Sequence, residues 1–342
     1  MKRILLIGGT GTISMAVTRR LARDPAWEVW LLNRGRSESV LPEGVKQIVA
    51  DIRDEENVKR KLTGMTFDAA ADFIAFRPEE VERDFRLFRG RVGQYLFTSS
   101  ASAYQKPAVS YRITEETPLD NPFWLYSRNK AACEEFLTAR YREEGFPVTI
   151  VRPSLTYSEK SIPFALSGRN GCWQVLKRMK EGKPVIVHGD GSSLWQVTFN
   201  EDFATGYVGL LGDPRAVGEA FHITGDEVLT WNAIYKTAAD ALGVPFRPCH
   251  VSSDFLIAAG KQIGMDLTGS LLGDKAVSLV FDNRKVRRLA PDLKTTVPFR
   301  EGVERALRYL KEHPEAQIED PEFDAWCDRV VEAQEEAKKS FL

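Results

Sequence analysis

Cysteine is scarce in this sequence and the four that occur stand apart: Cys133, Cys172, Cys249 and Cys327 form no C-x-x-C pair and no disulfide-dense spacing. That excludes a disulfide framework and predicts reduced thiols in a cytoplasmic protein. Histidine is as rare, and His188, His222, His250 and His313 show no ligand spacing with one another or with the cysteines, so no metal is expected. Charge of one sign is missing too. The 47 Lys and Arg against 48 Asp and Glu leave −1, too weak a field to recruit nucleic acid or an anionic membrane. No apolar run approaches the roughly 18 residues of a membrane span. The first run, Ile4 to Ile7, breaks at Gly8, so it reads as a strand rather than a leader. The partner left by these exclusions is a small molecule.

What is present suits a globular enzyme. A hydrophobic fraction of 43% over 342 residues supplies a core large enough to divide between two lobes. Short β-branched runs at 3–7, 28–33, 46–50, 67–73, 94–99 and 147–152 alternate with helical periodicity at 12–23, 54–62, 78–89 and 122–144. Such alternation predicts an α/β fold, a Rossmann-type doubly wound parallel sheet. After Pro153 the regularity fails, and Gly189-Asp190-Gly191-Ser192-Ser193 reads as turn chemistry. The expected division is a dinucleotide-binding domain over 1–160, rejoined by about 195–222, a smaller substrate lobe over 161–194 and 223–313, and a helical tail over 314–342. Helices are expected at 230–242 and 298–311. The run Arg284-Lys285-Val286-Arg287-Arg288 is read as a solvated helix face.

Ile4-Leu5-Leu6-Ile7 leads directly into Gly8-Gly9-Thr10-Gly11-Thr12-Ile13-Ser14 and then a helix. Glycines at a strand-to-helix turn let backbone N–H groups approach phosphate, and the helix dipole favours negative charge there. Gly8, Thr10, Gly11, Thr12 and Ile13 are therefore candidate cofactor contacts. Ser14 stands where the third glycine of such a loop falls, which predicts slightly looser helix packing. The second strand ends at Asn33-Arg34, with Arg36 beyond, and lacks the acid that holds an NAD ribose. Asn33 and Arg34 suit a 2′-phosphate, so NADP is favoured over NAD. Asp51, followed by Ile52, is placed to accept from an adenine amine.

Tyr126 and Lys130 stand at i and i+4 on a helix whose start Asn121 and Pro122 signal, so phenol and ammonium share one face. The ammonium and the early helix position are expected to favour phenolate. The fifth strand ends in Ser99-Ser100-Ala101-Ser102-Ala103-Tyr104, where a parallel sheet opens into its ligand crevice, and Ser100 there can donate to a substrate oxygen.

Together these residues resemble the extended branch of the short-chain dehydrogenase/reductase superfamily, of the NAD-dependent epimerase/dehydratase kind. The resemblance spans most of residues 1–310 and includes Arg152-Pro153 after the sixth strand. It implies Ser100, Tyr126 and Lys130 as the catalytic set, with Tyr126 as acid/base and Lys130 on the nicotinamide ribose. It further implies Ser99, Phe73, Ile74 and Ala75 beside the cofactor, Pro153, Ser154 and Leu155 at its nicotinamide end, Ser102 and Tyr104 near substrate, and a homodimer. Two departures narrow the chemistry. An acidic pair expected of a dehydratase is replaced by Ala101-Ser102. Where nucleotide-sugar enzymes carry a diphosphate-binding arginine stands Trp195, which either stacks on a sugar ring or fills the core. The expected function is hydride transfer to or from a secondary alcohol or ketone of a small, sugar-like substrate. The alternative is a regulatory or RNA-binding protein of the same fold without redox turnover.

Overall fold

The computed structural model describes residues 1–35 and 40–341; Arg36 lies outside them. Strands β1 (Lys2–Ile7), β2 (Trp27–Asn33), β3 (Lys46–Val49), β4 (Ala69–Asp72) and β5 (Tyr95–Thr98) are joined by Val148–Pro153 and Ala220–Ile223. All seven are parallel, ordered in space Ala220–Ile223, Val148–Pro153, β5, β4, β1, β2, β3. The six expected strands are found within two residues at each end; the seventh, after the excursion through the second lobe, completes the sheet.

Burial explains the composition of the strands. Ile4 to Ile7 are fully buried because both faces of a parallel sheet are covered. On one face Leu6, Leu31, Ala71 and Val151 pack with Val17 and Leu21 of α1 (Thr12–Ala22) and with Phe203 and Tyr207 of the Asn200–Gly209 helix. On the other, Leu5, Ala70, Phe97 and Ile150 meet Val81 and Phe88 of the Pro78–Phe88 helix and Leu137 of the Leu125–Glu144 helix. The strand order reverses between β1 and β4, and a crevice opens at the carboxyl ends there.

The second lobe has its own core around Tyr157, Trp195, Trp231, Tyr235, Phe281 and Trp326. The helical tail docks on it: Asp320 caps the Pro321–Lys339 helix by accepting from Phe323 N, and Asp324 and Asp328 each lie 2.7 Å from the buried Arg178 Nη1. Val286, Ala290 and Leu293, in the span assigned by sequence to that lobe, instead pack with the cluster beneath the sheet. The basic run is spent on ion pairs, Arg284 with Asp282, Lys285 with Glu219 and Arg287 with Asp226. Among the described residues no helix is long and apolar enough to cross a membrane.

Candidate active site

At the crevice, β1 turns at Gly8, whose φ of +79° favours glycine. A Cβ on Gly8 would lie 2.3 Å from Ile74 Cγ2, and one on Gly9 2.4 Å from Leu31 Cδ2. Gly11 N donates to Ser14 Oγ at 2.8 Å, and that hydroxyl donates to Gly8 O at 2.7 Å. Ser14 thus stitches the loop to the helix start, and the looser packing expected of it is not found. A Cβ on Gly11 would meet only Ser14 Oγ, at 3.4 Å, so this stretch of backbone is open to close approach.

The loop forms one wall of a cleft of about 610 Å³ that also takes in Asn33, Arg34, Asp51, Ile52 and Ile74. Its size and its run of glycine backbone at a helix N-terminus fit the adenosine and phosphate half of a dinucleotide. Three further residues lining it, Arg53, Phe76 and Arg83, were not singled out from the sequence. Asn33 Oδ1 accepts from Gly35 N at 3.0 Å and from Gln47 Nε2 at 2.6 Å. Asp51 accepts from Arg53 Nε at 3.0 Å and Nη2 at 2.6 Å. That guanidinium, with Arg34 adding to it, holds the Asp51 carboxyl far below the usual carboxylate range. Arg53 is thereby spent on Asp51, and Arg83 on Asp84 at 2.7 Å, while Arg34 and Glu80 also line the cleft.

Beneath the cleft a buried chain of polar groups fixes the turn after β4. Asp72 Oδ1 accepts from Ile74 N at 2.7 Å and Ala75 N at 3.1 Å. Its other oxygen lies 3.0 Å from Tyr95 Oη, which is also 3.0 Å from Asp84 Oδ2. Burial, then repulsion from Asp72, pushes the Asp84 carboxyl well up, against the pull of Arg83 Nη2 at 2.7 Å from Asp84 Oδ1. The fixed turn aims Ala75 O at Lys130 Nζ, 2.7 Å away, while Thr98 O accepts from the same ammonium at 2.6 Å. Lys130 is 1% exposed, and burial lowers its pKa to about 8. Two of its three donors are occupied; one remains.

Tyr126 lies in the first turn of the Leu125–Glu144 helix, which starts three residues after the point expected. Asn121 is not its cap: the buried carboxamide donates to Ser102 O and to Gly273 O, each at 2.7 Å, tying the two lobes together. Burial pushes the Tyr126 phenol above its ordinary value, and a hydrogen bond with Ser100 works against that. The expected depression by Lys130 is absent because the ammonium points to the carbonyls of residues 75 and 98 and sits 5.9 Å from the phenol's ring centroid. Ser100 Oγ is 2.9 Å from Ser102 Oγ, to which Ser127 Oγ donates at 2.8 Å. Three serine hydroxyls thus stand in series at the start of the helix that carries Tyr126.

Of the remaining candidates, Ser99 donates to Glu134 Oε1 at 2.5 Å. Glu134 is one helical turn beyond Lys130 and forms a two-pronged buried ion pair with Arg152, Nη2 to Oε2 at 2.6 Å. Arg152 Nη1 donates to Tyr104 Oη at 3.1 Å, and Tyr104 Oη lies 3.0 Å from His222 Nδ1. Tyr104 is fully buried in this network and does not reach the cleft. Trp195, 2% exposed and packed against Trp231 and Phe281, fills the core and leaves no ring face to stack on a sugar. Phe73 packs on Tyr207. Ser154 Oγ donates to Gln196 O at 3.0 Å, and Leu155 pairs with Val197.

Burial lowers His222 from 6.5 to about 4, which has a consequence for stability. Its folded form is neutral where the unfolded chain is protonated, so stability is lost as pH falls through 6.5 towards 4. Raised acids such as Asp84 act in the opposite sense, and the effect is read as a difference. Going from pH 7 to 5 is expected to cost the wild type about 2 kcal/mol more than His222→Gln in guanidinium unfolding; equal losses would contradict a neutral His222.

Residues 85–224 match the NAD dependent epimerase/dehydratase family. The chain is 27% identical over 289 residues to 2'-dehydrokanamycin reductase of Streptomyces kanamyceticus, covering 84% of this chain and 79% of that protein. It is 28% identical to the chloroplast stem-loop binding protein of 41 kDa b of Arabidopsis thaliana, over 71% of this chain and 64% of that one. Among solved structures, the UDP-glucuronic acid 4-epimerase of Bacillus cereus in complex with UDP-glucuronic acid and NAD aligns with a TM-score of 0.70 at 17% identity. That alignment covers 91% of this chain and 99% of the epimerase.

Proposed function

We propose that the chain, whose residues 85–224 match the NAD dependent epimerase/dehydratase family and which is similar to a reductase over 84% of its length, works as a short-chain dehydrogenase/reductase of that type and exchanges hydride with a secondary alcohol or ketone on a sugar-like ring. The observation that carries this reading is the placement of Tyr126 one helical turn before a buried Lys130, on the helix whose Ser127 hydroxyl joins the Ser100 and Ser102 hydroxyls. When bound, a nicotinamide dinucleotide supplies the hydride acceptor or donor. The chain's own residues handle the proton. Tyr126 gives its proton to the oxygen of a ketone or takes it from an alcohol. Ser100, held by Ser102, donates a hydrogen bond to that same oxygen as its charge changes. Lys130, anchored by Ala75 O and Thr98 O, keeps one N–H for a ribose hydroxyl and holds positive charge below the phenol. With Ala101-Ser102 in place of an acidic pair and Trp195 in the core, oxidoreduction or epimerisation fits better than dehydration, and the ring itself is the recognised part.

For the cofactor, Arg34 at the cleft, with no acid at Asn33, supports NADP over NAD. Calorimetric titration with each dinucleotide tests this. Arg34→Ala is expected to weaken NADP+ about 10–100-fold while leaving NAD+ unchanged. Tight NAD+ binding without NADP+ binding would overturn it. A second reading, an RNA-binding protein of the same fold, is favoured only by the likeness to the chloroplast protein. It predicts steeply salt-dependent RNA binding and no hydride exchange with any carbonyl compound.

A further inference from the structure

Three buried charged side chains beside Ser100 and Tyr126 have no part in the chemistry above. Lys106, 2% exposed, follows the serine loop; Asp274 and Lys275, 8% and 9% exposed, end a π-helical turn, Leu271–Lys275, of the second lobe. Such turns are wider than an α-helix and recur at functional sites. This one is held from three sides. Asn121 ties Gly273 O to Ser102 O. A Cβ on Gly269 would lie 2.2 Å from Trp124 Cδ1, so only glycine lets the segment press on the helix that carries Tyr126. The carbonyl of Lys275 accepts from His188 Nε2, Ser193 Oγ and Trp231 Nε1, each at 3.0 Å. The result is that Asp274 and Lys275 are fixed next to the Asn121 tie, and Lys106 is fixed there too, its backbone N donating to Asp120 O at 2.8 Å.

The charges do not balance. Asp274 Oδ2 lies 3.6 Å from Lys275 Nζ, and these two neutralise each other. Lys106 Nζ donates to Tyr104 O at 3.1 Å and, among the described residues, forms no ion pair within 4.0 Å. An ammonium has three donors, so two are left over. Burying an ammonium with neither counter-ion nor full hydrogen bonding is costly, and an apolar side chain of similar length avoids the cost. Burial accordingly lowers the Lys106 pKa, and among the described residues no acid within ion-pair distance offsets it.

We propose that Lys106, flanked by the Asp274 and Lys275 pair, is an anion subsite: the substrate carries a carboxylate or phosphate close to the carbon that exchanges hydride, held by the spare Lys106 donors. This rests on the hydride reading only for where the reacting carbon lies. Calorimetric titration of the full chain with D-glucuronate, D-glucose 6-phosphate and D-glucose separates the two anion sources from the neutral ring. One charged sugar is expected to bind about 10–100-fold more tightly than glucose. Lys106→Met, which removes a buried charge and keeps the fold, brings it to the level of glucose, Lys106→Arg retains the preference, and Asp274→Asn tightens it. Equal binding of all three sugars, or a preference unchanged in Lys106→Met, overturns the subsite. These readouts need no turnover. A chain that selects anions through Lys106 yet exchanges no hydride sinks the hydride reading alone, and one that turns over charged and neutral ketones alike sinks the subsite alone.

Discussion

Tyr126→Phe is expected to lower kcat about 10³-fold with little change in cofactor affinity. The substitution removes one oxygen and keeps the ring, whose packing against Trp124 at 5.1 Å and Phe76 at 6.3 Å holds the helix start in place. What is lost is the only group in the serine and tyrosine series that exchanges a proton with substrate at moderate cost. Ser100 would still donate a hydrogen bond, and the dinucleotide cleft, built from β1, β2 and the turn after β4, does not touch this oxygen. The measurement is steady-state turnover of a carbonyl substrate beside calorimetry of the dinucleotide. Wild-type turnover in the variant would rule out Tyr126 as the acid/base, and parallel loss of cofactor binding would mean that the ring, rather than the proton, had been disturbed.

The second large effect concerns stability. Glu134→Gln keeps the shape of the side chain but leaves the Arg152 guanidinium, 6% exposed, without its counter-ion. Against the penalty of burial, Glu134 and Tyr104 hold Arg152 above its ordinary pKa, so it cannot shed its charge. Removing one partner of a buried pair costs about 3–5 kcal/mol. Guanidinium unfolding should show that loss for Glu134→Gln, and most of it should be regained in Glu134→Leu with Arg152→Met, where no charge is stranded. A single variant as stable as the wild type would show that water reaches this pair.

The parts of the site that are local in sequence were legible, and those assembled by tertiary contact were not. Ile4 to Gly11 announces a buried strand turning into a helix, because four consecutive apolar residues followed by glycines have few other uses. Tyr126 and Lys130 are paired by helical geometry alone. The same geometry offered Glu134, at i+8 from Tyr126 and on the same face, and a search of the third turn for a buried acid would have found the partner of Arg152. Arg53 was within reach as well, two residues past Asp51 in a turn where an Asp readily takes a guanidinium. Tyr104 misled because a phenol near a serine loop looks available, whereas its hydroxyl is consumed by Arg152 and His222, residues 48 and 118 positions away. Lys106 carries no sequence signal: a lysine in a loop reads as solvated until the second lobe covers it. The phenol's raised pKa was also invisible, since periodicity gives proximity of Lys130 to Tyr126 but not the direction in which the ammonium points.

The sheet closes late, and that orders the chain's assembly in time. Ala220–Ile223 is its last strand and pairs with Val148–Pro153, yet a second lobe is threaded between them. His222 completes the Tyr104 network 118 residues after Tyr104 has been made. The edge of Val148–Pro153 itself waits the 70 residues from Pro153 to Ile223, roughly 4–14 s at ribosomal speeds. Throughout it the edge of Val148–Pro153 is unpaired and Arg152 and Glu134 remain wet on one side, so a nascent chain of this protein holds an open strand edge for many seconds. Such an edge is a template for pairing with a neighbouring chain, and the two charged groups set on it, Arg152 and the Glu134 that reaches to it, are the features that make that pairing unfavourable until residue 223 arrives.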